Sequence, residues 1–284
     1  MSAESKFLVL GATGKTGRRV VAQLRAMGAP LVAASRAGSG AVDGVDFEWS
    51  DPRSHAPALE GVSAVYLVAP TSLGGDPAPM MIDFIQRAME REVRRFVLLS
   101  ASLLPRGGPA MGAVHAWLAE NAPEWAVLRP SWFMQNFSEA LHAQTIQSDG
   151  AIYSATGEGR VGFVDADDIA ACAAATLTGE PAPNRDYVLT GPGTLSYADV
   201  AAQISQASGA PVRHVNVSQE ELIARLTAGG APAMTAAMLA MMDGAIATGA
   251  EDRTTDDVLA ATGRPPRAFA EFAALNRTVW RRGA

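Results

Sequence analysis

Cysteine is almost absent from this chain: of 284 residues, Cys172 alone carries a thiol. That excludes an internal disulfide and a cysteine-rich metal centre, and its setting, AACAAA, reads as a packed helix interior. Charge is sparse as well, at 18% of residues, and its balance is acidic, with a net charge of −6. Phosphate backbones are attracted to a basic face, so no nucleic-acid partner is expected. Long apolar runs are missing too. The longest, Ala231 to Ala247, is broken by Asp243 and Gly244 and falls short of the ~20 residues a bilayer span needs. The first residues lack the basic and apolar regions of a secretory signal, so a cytoplasmic location is expected, with no membrane partner. At 48% hydrophobic residues, the chain has ample material for a core, as one domain with an appended lobe.

What is present begins at Lys6. The apolar run Phe7 to Leu10 meets Gly11, Gly14 and Gly17, and a segment of helical periodicity follows through Val20, Val21, Leu24 and Met27. Strand, tight turn and helix in that order are the context a dinucleotide-binding loop requires. The first glycine permits the turn, the second lets a pyrophosphate approach the backbone, and the third allows close packing. The positive end of the helix dipole then faces the phosphates.

The second strand, Leu31 to Ala34, ends in Ser35 and Arg36. An acidic residue about twenty positions past the glycines would grip the ribose 2′-hydroxyl of NAD; a guanidinium there bonds a 2′-phosphate instead. A charge-assisted bond of about 1.5–3 kcal/mol favours NADPH over NADH by roughly ten- to a hundredfold. Lys15 either reaches the same phosphate or faces water. Val45 to Trp49 reads as a third strand, followed by Asp51, which either bonds the adenine amine or caps the helix after Pro52. Further apolar strands, Ala64 to Ala69, Phe96 to Leu99 and Trp125 to Leu128, alternate with helices Met80 to Glu90 and Gly112 to Asn121. The pattern is that of a doubly wound parallel sheet, whose ligands bind at the carboxyl ends of the strands.

Beyond residue 150 the alternation fades. The expected division is a Rossmann domain over 1–150, with a helix at 166–178 packing back on it, and a smaller α+β lobe over 151–284. Val164 to Asp168 carries three aspartates that read as a helix N-terminus rather than a metal site, and no metal is expected. Tyr187 to Thr190 reads as a strand; Ser196 to Asp199 and Ser218 to Glu221 resemble capping boxes. Met234, Met238, Met241 and Met242 fall on one helical face, either for packing or to line an adaptable pocket. Trp132 and Phe133 are either pocket walls or plain core.

Taken together, GATGKTG, the Ser35-Arg36 pair, VLLSAS, LRPSWFMQNF and VDADDIA resemble landmarks of the NmrA-like atypical short-chain dehydrogenase/reductases. TGRPPRAFAEF resembles a branch similar to the ergot-alkaloid iminium reductases, the festuclavine and agroclavine dehydrogenases. The resemblance implies a Rossmann-type NADP(H) domain and a smaller lobe closing over the nicotinamide. It implies that Gly11, Ala12, Thr13, Gly14, Lys15, Thr16 and Gly17 hold the pyrophosphate, and that Ser35 and Arg36 hold the adenosine phosphate. Asp51 would then approach the adenine, while Ala69, Pro70, Thr71, Ser100 and Ala101 line the nicotinamide ribose. Trp132, Phe133, Tyr153 and Met238 are the expected substrate pocket.

One departure matters. Where members of that superfamily carry a YxxxK pair, the helix here reads MGAVHAWL, without tyrosine or lysine. The expectation is therefore an NADPH-dependent reductase of a small, largely apolar iminium, quinone or enone; the alternative is a non-catalytic NADP(H) sensor. His115, Ser102 and Tyr153 are the candidate proton donors, each set against a merely structural role. The expected partner is a small molecule, with the protein a monomer or homodimer.

Overall fold

A computed structural model describes residues 6–36, 43–70, 75–139 and 142–280. Eleven strands run along the described chain: β1 Lys6–Leu10, β2 Leu31–Ser35, β3 Gly44–Asp46, β4 Val62–Leu67, β5 Arg95–Leu99, β6 Glu124–Pro130, β7 Ala151–Ser154, β8 Arg160–Val161, β9 Arg185–Leu189, β10 Leu195–Ser196 and β11 Arg213–Asn216. The helices are α1 Gly17–Ala26, α2 His55–Ala58, α3 Ala78–Met89, α4 Met111–Asn121, α5 Ala143–Asp149, α6 Ala166–Thr178, α7 Tyr197–Ser208, α8 Gln219–Ala228, α9 Ala233–Ala247, α10 Asp257–Thr262 and α11 Phe269–Asn276.

The chain forms two compact units. The first comprises Met1–Pro130, Ala166–Leu189 and Asp257–Arg264. Its sheet has the order β3-β2-β1-β4-β5-β6-β9, and every neighbouring pair is parallel. The central strands are continuous apolar runs because helices cover both faces, which leaves no wet side to favour alternation. Helix α6 packs against α1 and against β4, β5 and β6; its alanines allow close approach, and Cys172 is fully buried within it. Burial, with Asp168 nearby, pushes that thiol up to about 12, so it is an inert packing group.

The second unit comprises Ser131–Asp165, Thr190–Asp256 and Pro265–Ala284. Two small two-stranded sheets, β7 with β11 and β8 with β10, are backed by an aromatic core of Phe137, Phe163, Tyr197, Phe269 and Phe272. Trp280 closes it, its indole N–H donating to the Phe137 carbonyl at 2.6 Å.

Four sequence expectations need correction. The units do not divide at residue 150: the chain passes from one to the other at Pro130, and β9, expected in the smaller lobe, is the edge strand of the large sheet. The third strand stops at Asp46. Phe47 and Trp49 turn instead into an edge-to-face cluster with Phe84, where aromatic burial outweighs one more ladder rung. Ser218 caps α8 through its side chain, whereas the reciprocal box is complete only at Ser196 and Asp199. On α9 the buried residues are Ala236, Ala240, Asp243 and Ile246. Met234, Met238 and Met241 are exposed and only Met242 is half-buried, so most of the methionine face is turned to solvent rather than packed in the core. Among the described residues no helix is long and apolar enough to cross a membrane, and no three potential ligands cluster as a metal site would require.

Candidate active site

In the first unit the strand order reverses between β1 and β4, because successive crossovers run outward in opposite directions from that pair. A crevice opens at such a reversal, at the carboxyl ends of the strands. The parallel registers line those ends up along one sheet edge: Leu10 beside Ala34, Leu67 beside Leu98, and Leu99 beside Leu128. Arg36, Gly11, Ala69 with Pro70, and Ser100 with Ala101 therefore follow one another along the edge.

The glycine loop is shaped by its own backbone. Gly11 has φ +64°, a left-handed conformation that side chains disfavour. A Cβ on Gly17 would lie 2.0 Å from the Gly11 carbonyl oxygen, and one on Gly14 would lie 3.1 Å from the same atom. The third glycine thus lets α1 begin directly against the turn. Ala12 is buried and its N–H donates to the Ala34 carbonyl, while Thr13 and Gly14 face solvent. The first turn of α1 has no acidic residue, so its positive dipole end stays open to an anion. Arg19 braces the loop from behind, donating to the Lys15 carbonyl at 2.8 Å and to Asp167 at 2.7 Å.

Two hydroxyls test whether these residues suit a phosphorylated dinucleotide. The Oγ atoms of Ser35 and Ser100 are both buried without a hydrogen-bond partner. A buried hydroxyl left unpaired costs about 1–3 kcal/mol, and both lie at strand ends on the crevice edge. Ser35 sits beside the exposed Arg36, a pairing of donor and cation suited to a phosphate monoester. The residues present fit the group.

Asp51 is otherwise engaged. It caps the short turn Pro52–Ser54 and holds the Arg53 guanidinium at 2.8 and 3.0 Å. Arg53 keeps its carboxyl below the usual carboxylate range. Ala69 and Pro70 follow β4 in half-buried, irregular backbone, and Thr71 lies outside the described residues.

The three candidate proton donors part company. His115 is 2% exposed and packs on Trp125, 5.6 Å between ring centroids. Trp125 stands near the start of β6, toward the end of the strand opposite the crevice. Burial lowers the imidazole below its ordinary value, with Asp186 opposing. Such a ring is neutral and enclosed. Ser102 is buried, its N–H donates to the Pro130 carbonyl, and its own carbonyl takes a bond from Arg129. Arg129 also pairs with Asp186 at 2.7 Å, a structural role. Tyr153 belongs to the second unit. Its hydroxyl donates to Asp149 at 3.1 Å, and the Arg225 guanidinium lies 4.1 Å from its ring centroid.

Within the second unit a cavity of about 530 Å³ is lined by Trp132, His142, Asp149, Tyr153, Leu239 and Asp243, among others. Of the expected pocket residues, Trp132 and Tyr153 line it. Phe133 does not; its backbone forms a bridge to Val164. Met238 is turned to solvent, and its neighbour Leu239 takes the lining position. Asp243 and His142 had no signal for a site in the sequence beyond a carboxylate interrupting an apolar run.

Residues 11–180 match the family described as NAD(P)H-binding. The chain belongs to that family. This NAD(P)H-binding protein is 43% identical to the uncharacterised oxidoreductase YesF of Bacillus subtilis, over 99% of this chain and 98% of that one. It is 40% identical to agroclavine dehydrogenase of Claviceps fusiformis, over 96% and 98%. In fold it is similar to an NADPH-dependent quinone oxidoreductase of Escherichia coli solved with NADPH, with TM-score 0.81, 24% identity and coverage of 95% and 99%. It is therefore an oxidoreductase of the nicotinamide type, built on a Rossmann-like sheet.

Proposed function

We propose that this chain is an NADPH-dependent reductase that delivers hydride to a small, largely apolar iminium, quinone or enone. The observation that carries the reading is the pairing of exposed Arg36 with the partnerless Ser35 hydroxyl at the end of β2. Among the described residues β2 itself ends without a carboxylate, and the nearest by register, Asp46, belongs to the neighbouring β3 beside Ser35. Gly11 to Gly17 would hold the pyrophosphate, and Ala69, Pro70, Ser100 and Ala101 the nicotinamide ribose. When bound, the reduced nicotinamide supplies a hydride.

The protein's own contribution is positioning and exclusion of water. Helix α4 offers no tyrosine or lysine at all, and the enclosed, low-pKa ring of His115 makes a poor acid at neutral pH. An iminium carbon needs no proton to accept hydride, because the transfer itself neutralises the charge. The relatives named agroclavine dehydrogenase support that class, and the azoreductase relative of Xenophilus azovorans, 35% identical over 94% of this chain, supports other electron-poor acceptors.

The test is loss of absorbance at 340 nm when purified protein and NADPH meet a panel of quinones and cyclic iminium salts. Tight NADPH binding with no oxidation across the panel would instead support a cofactor sensor, the reading that the bare α4 also allows.

A further inference from the structure

Asp243 is the one carboxylate in the second-unit cavity that is almost wholly removed from water, at 6% exposure. Its Oδ2 accepts the Ala155 N–H at 2.8 Å, and no arginine, lysine or histidine pairs with it among the described residues. An ionised carboxylate in an apolar cavity is costly unless a cation meets it. Trp132, Tyr153 and Leu239 contribute apolar and aromatic surface to the same cavity. The other charges in the lining are Glu139, Asp149 and Arg225. Arg225 is spoken for: it bonds Glu221 at 2.9 Å and lies over the Tyr153 ring. Asp243 is thus the buried carboxylate of the lining, and the Trp132 ring shares that lining with it.

We propose that this cavity takes a largely apolar organic monocation, and that Asp243 is the residue that recognises its positive charge. A carboxylate supplies the counter-charge, and the Trp132 ring supplies cation–π attraction, since Arg225 already covers a face of Tyr153. The volume, about 530 Å³, lies in the range of small-molecule sites. The proposal rests on the reading of the second unit as the substrate-binding lobe and narrows its substrate class: among iminium, quinone and enone, it selects the charged one. Burial raises the carboxyl to about 6, which leaves it mostly ionised at neutral pH. The groups nearby on the other elements do not change this. His142 is held neutral by burial, at about 3, and the buried Tyr197 phenol is pushed well above its ordinary value.

The experiment uses full-length protein loaded with NADP⁺ and two probes that cannot be reduced: benzyltrimethylammonium and its uncharged carbon isostere, neopentylbenzene. Calorimetric titration should show the cation binding at least about tenfold more tightly, the discrimination of one charge-assisted contact. Asp243→Asn keeps an oxygen for the Ala155 N–H and removes the charge. It should erase that preference, leave the neutral probe unchanged, and raise the melting temperature at pH 7.5. Equal affinity for both probes, or an undiminished preference in Asp243→Asn, overturns the proposal. Should that variant not fold, Leu239→Trp fills the cavity and must weaken the cation; unchanged binding there also overturns it. Failure of the wider reading is separate and visible. If NADPH binds and reduces a neutral quinone while the cation is ignored, this inference alone falls; if NADPH does not bind, the reductase reading falls with it.

Discussion

The glycine loop of the first unit and helix α9 of the second make an instructive pair, because both follow the same local rules and the sequence reads one of them well and the other badly. In the loop, Gly14 and Gly17 both answer to the carbonyl of Gly11, a near neighbour in the chain, and Gly11 itself adopts φ +64°. In α9 the apolar run is so complete that it marks no preferred face. Its methionines and its alanines compete for the interior. The alanines win because α9 packs closely on α8 and small side chains permit that approach, and Asp243 is carried inward with them.

The comparison can be broken from either side. The largest effect is expected at Gly17. A methyl group there overlaps a backbone oxygen at 2.0 Å, and backbone cannot yield as a flexible side chain does. Gly17→Ala should cost about 2–4 kcal/mol of stability and abolish NADPH binding in a fluorescence titration. A tolerated alanine would mean that the loop is looser than its geometry.

Asp243 should behave in the opposite sense. Its folded-state pKa, about 6, is raised above the ordinary 3.8, so the wild type is most stable below about 4 and loses that stability as pH rises through 6. Asp243→Asn should therefore be more stable than wild type by about 3 kcal/mol at pH 7.5, with the gap closing near pH 4. Urea unfolding at the two pH values measures it; a gap that does not depend on pH would show that the carboxyl is not desolvated.

Arg36→Ala sharpens the first-unit side. It should weaken NADPH about ten- to a hundredfold and leave NADH almost untouched in the same titration; equal losses would remove the phosphate role. The smallest effect belongs to His115→Ala. Turnover per folded molecule should stay within about threefold, since an enclosed neutral ring takes no part in proton transfer. A collapse in rate with the fold intact would return His115 to the site.

These contrasts mark how far spacing alone can be read. Apart from β3, the strands of the first unit were legible to within a residue or two, because a sheet covered on both faces demands continuous apolar runs. Phe47 and Trp49 look like more of the same and are not, since their partners His55 and Phe84 lie on other elements. The unit boundaries were misplaced for a similar reason. The registry of β9 beside β6 joins Arg185 to Ala126 across 59 positions, and no local pattern announces it.

The sequence by itself determined the dinucleotide loop, the cation at the end of β2 and the missing tyrosine–lysine pair, because each is a property of a few neighbouring residues. The tertiary structure alone decided which face of α9 is buried, where β9 pairs and which carboxylate a cavity encloses. Desolvation is set by everything packed around a group, and a chain read in order carries no record of that company.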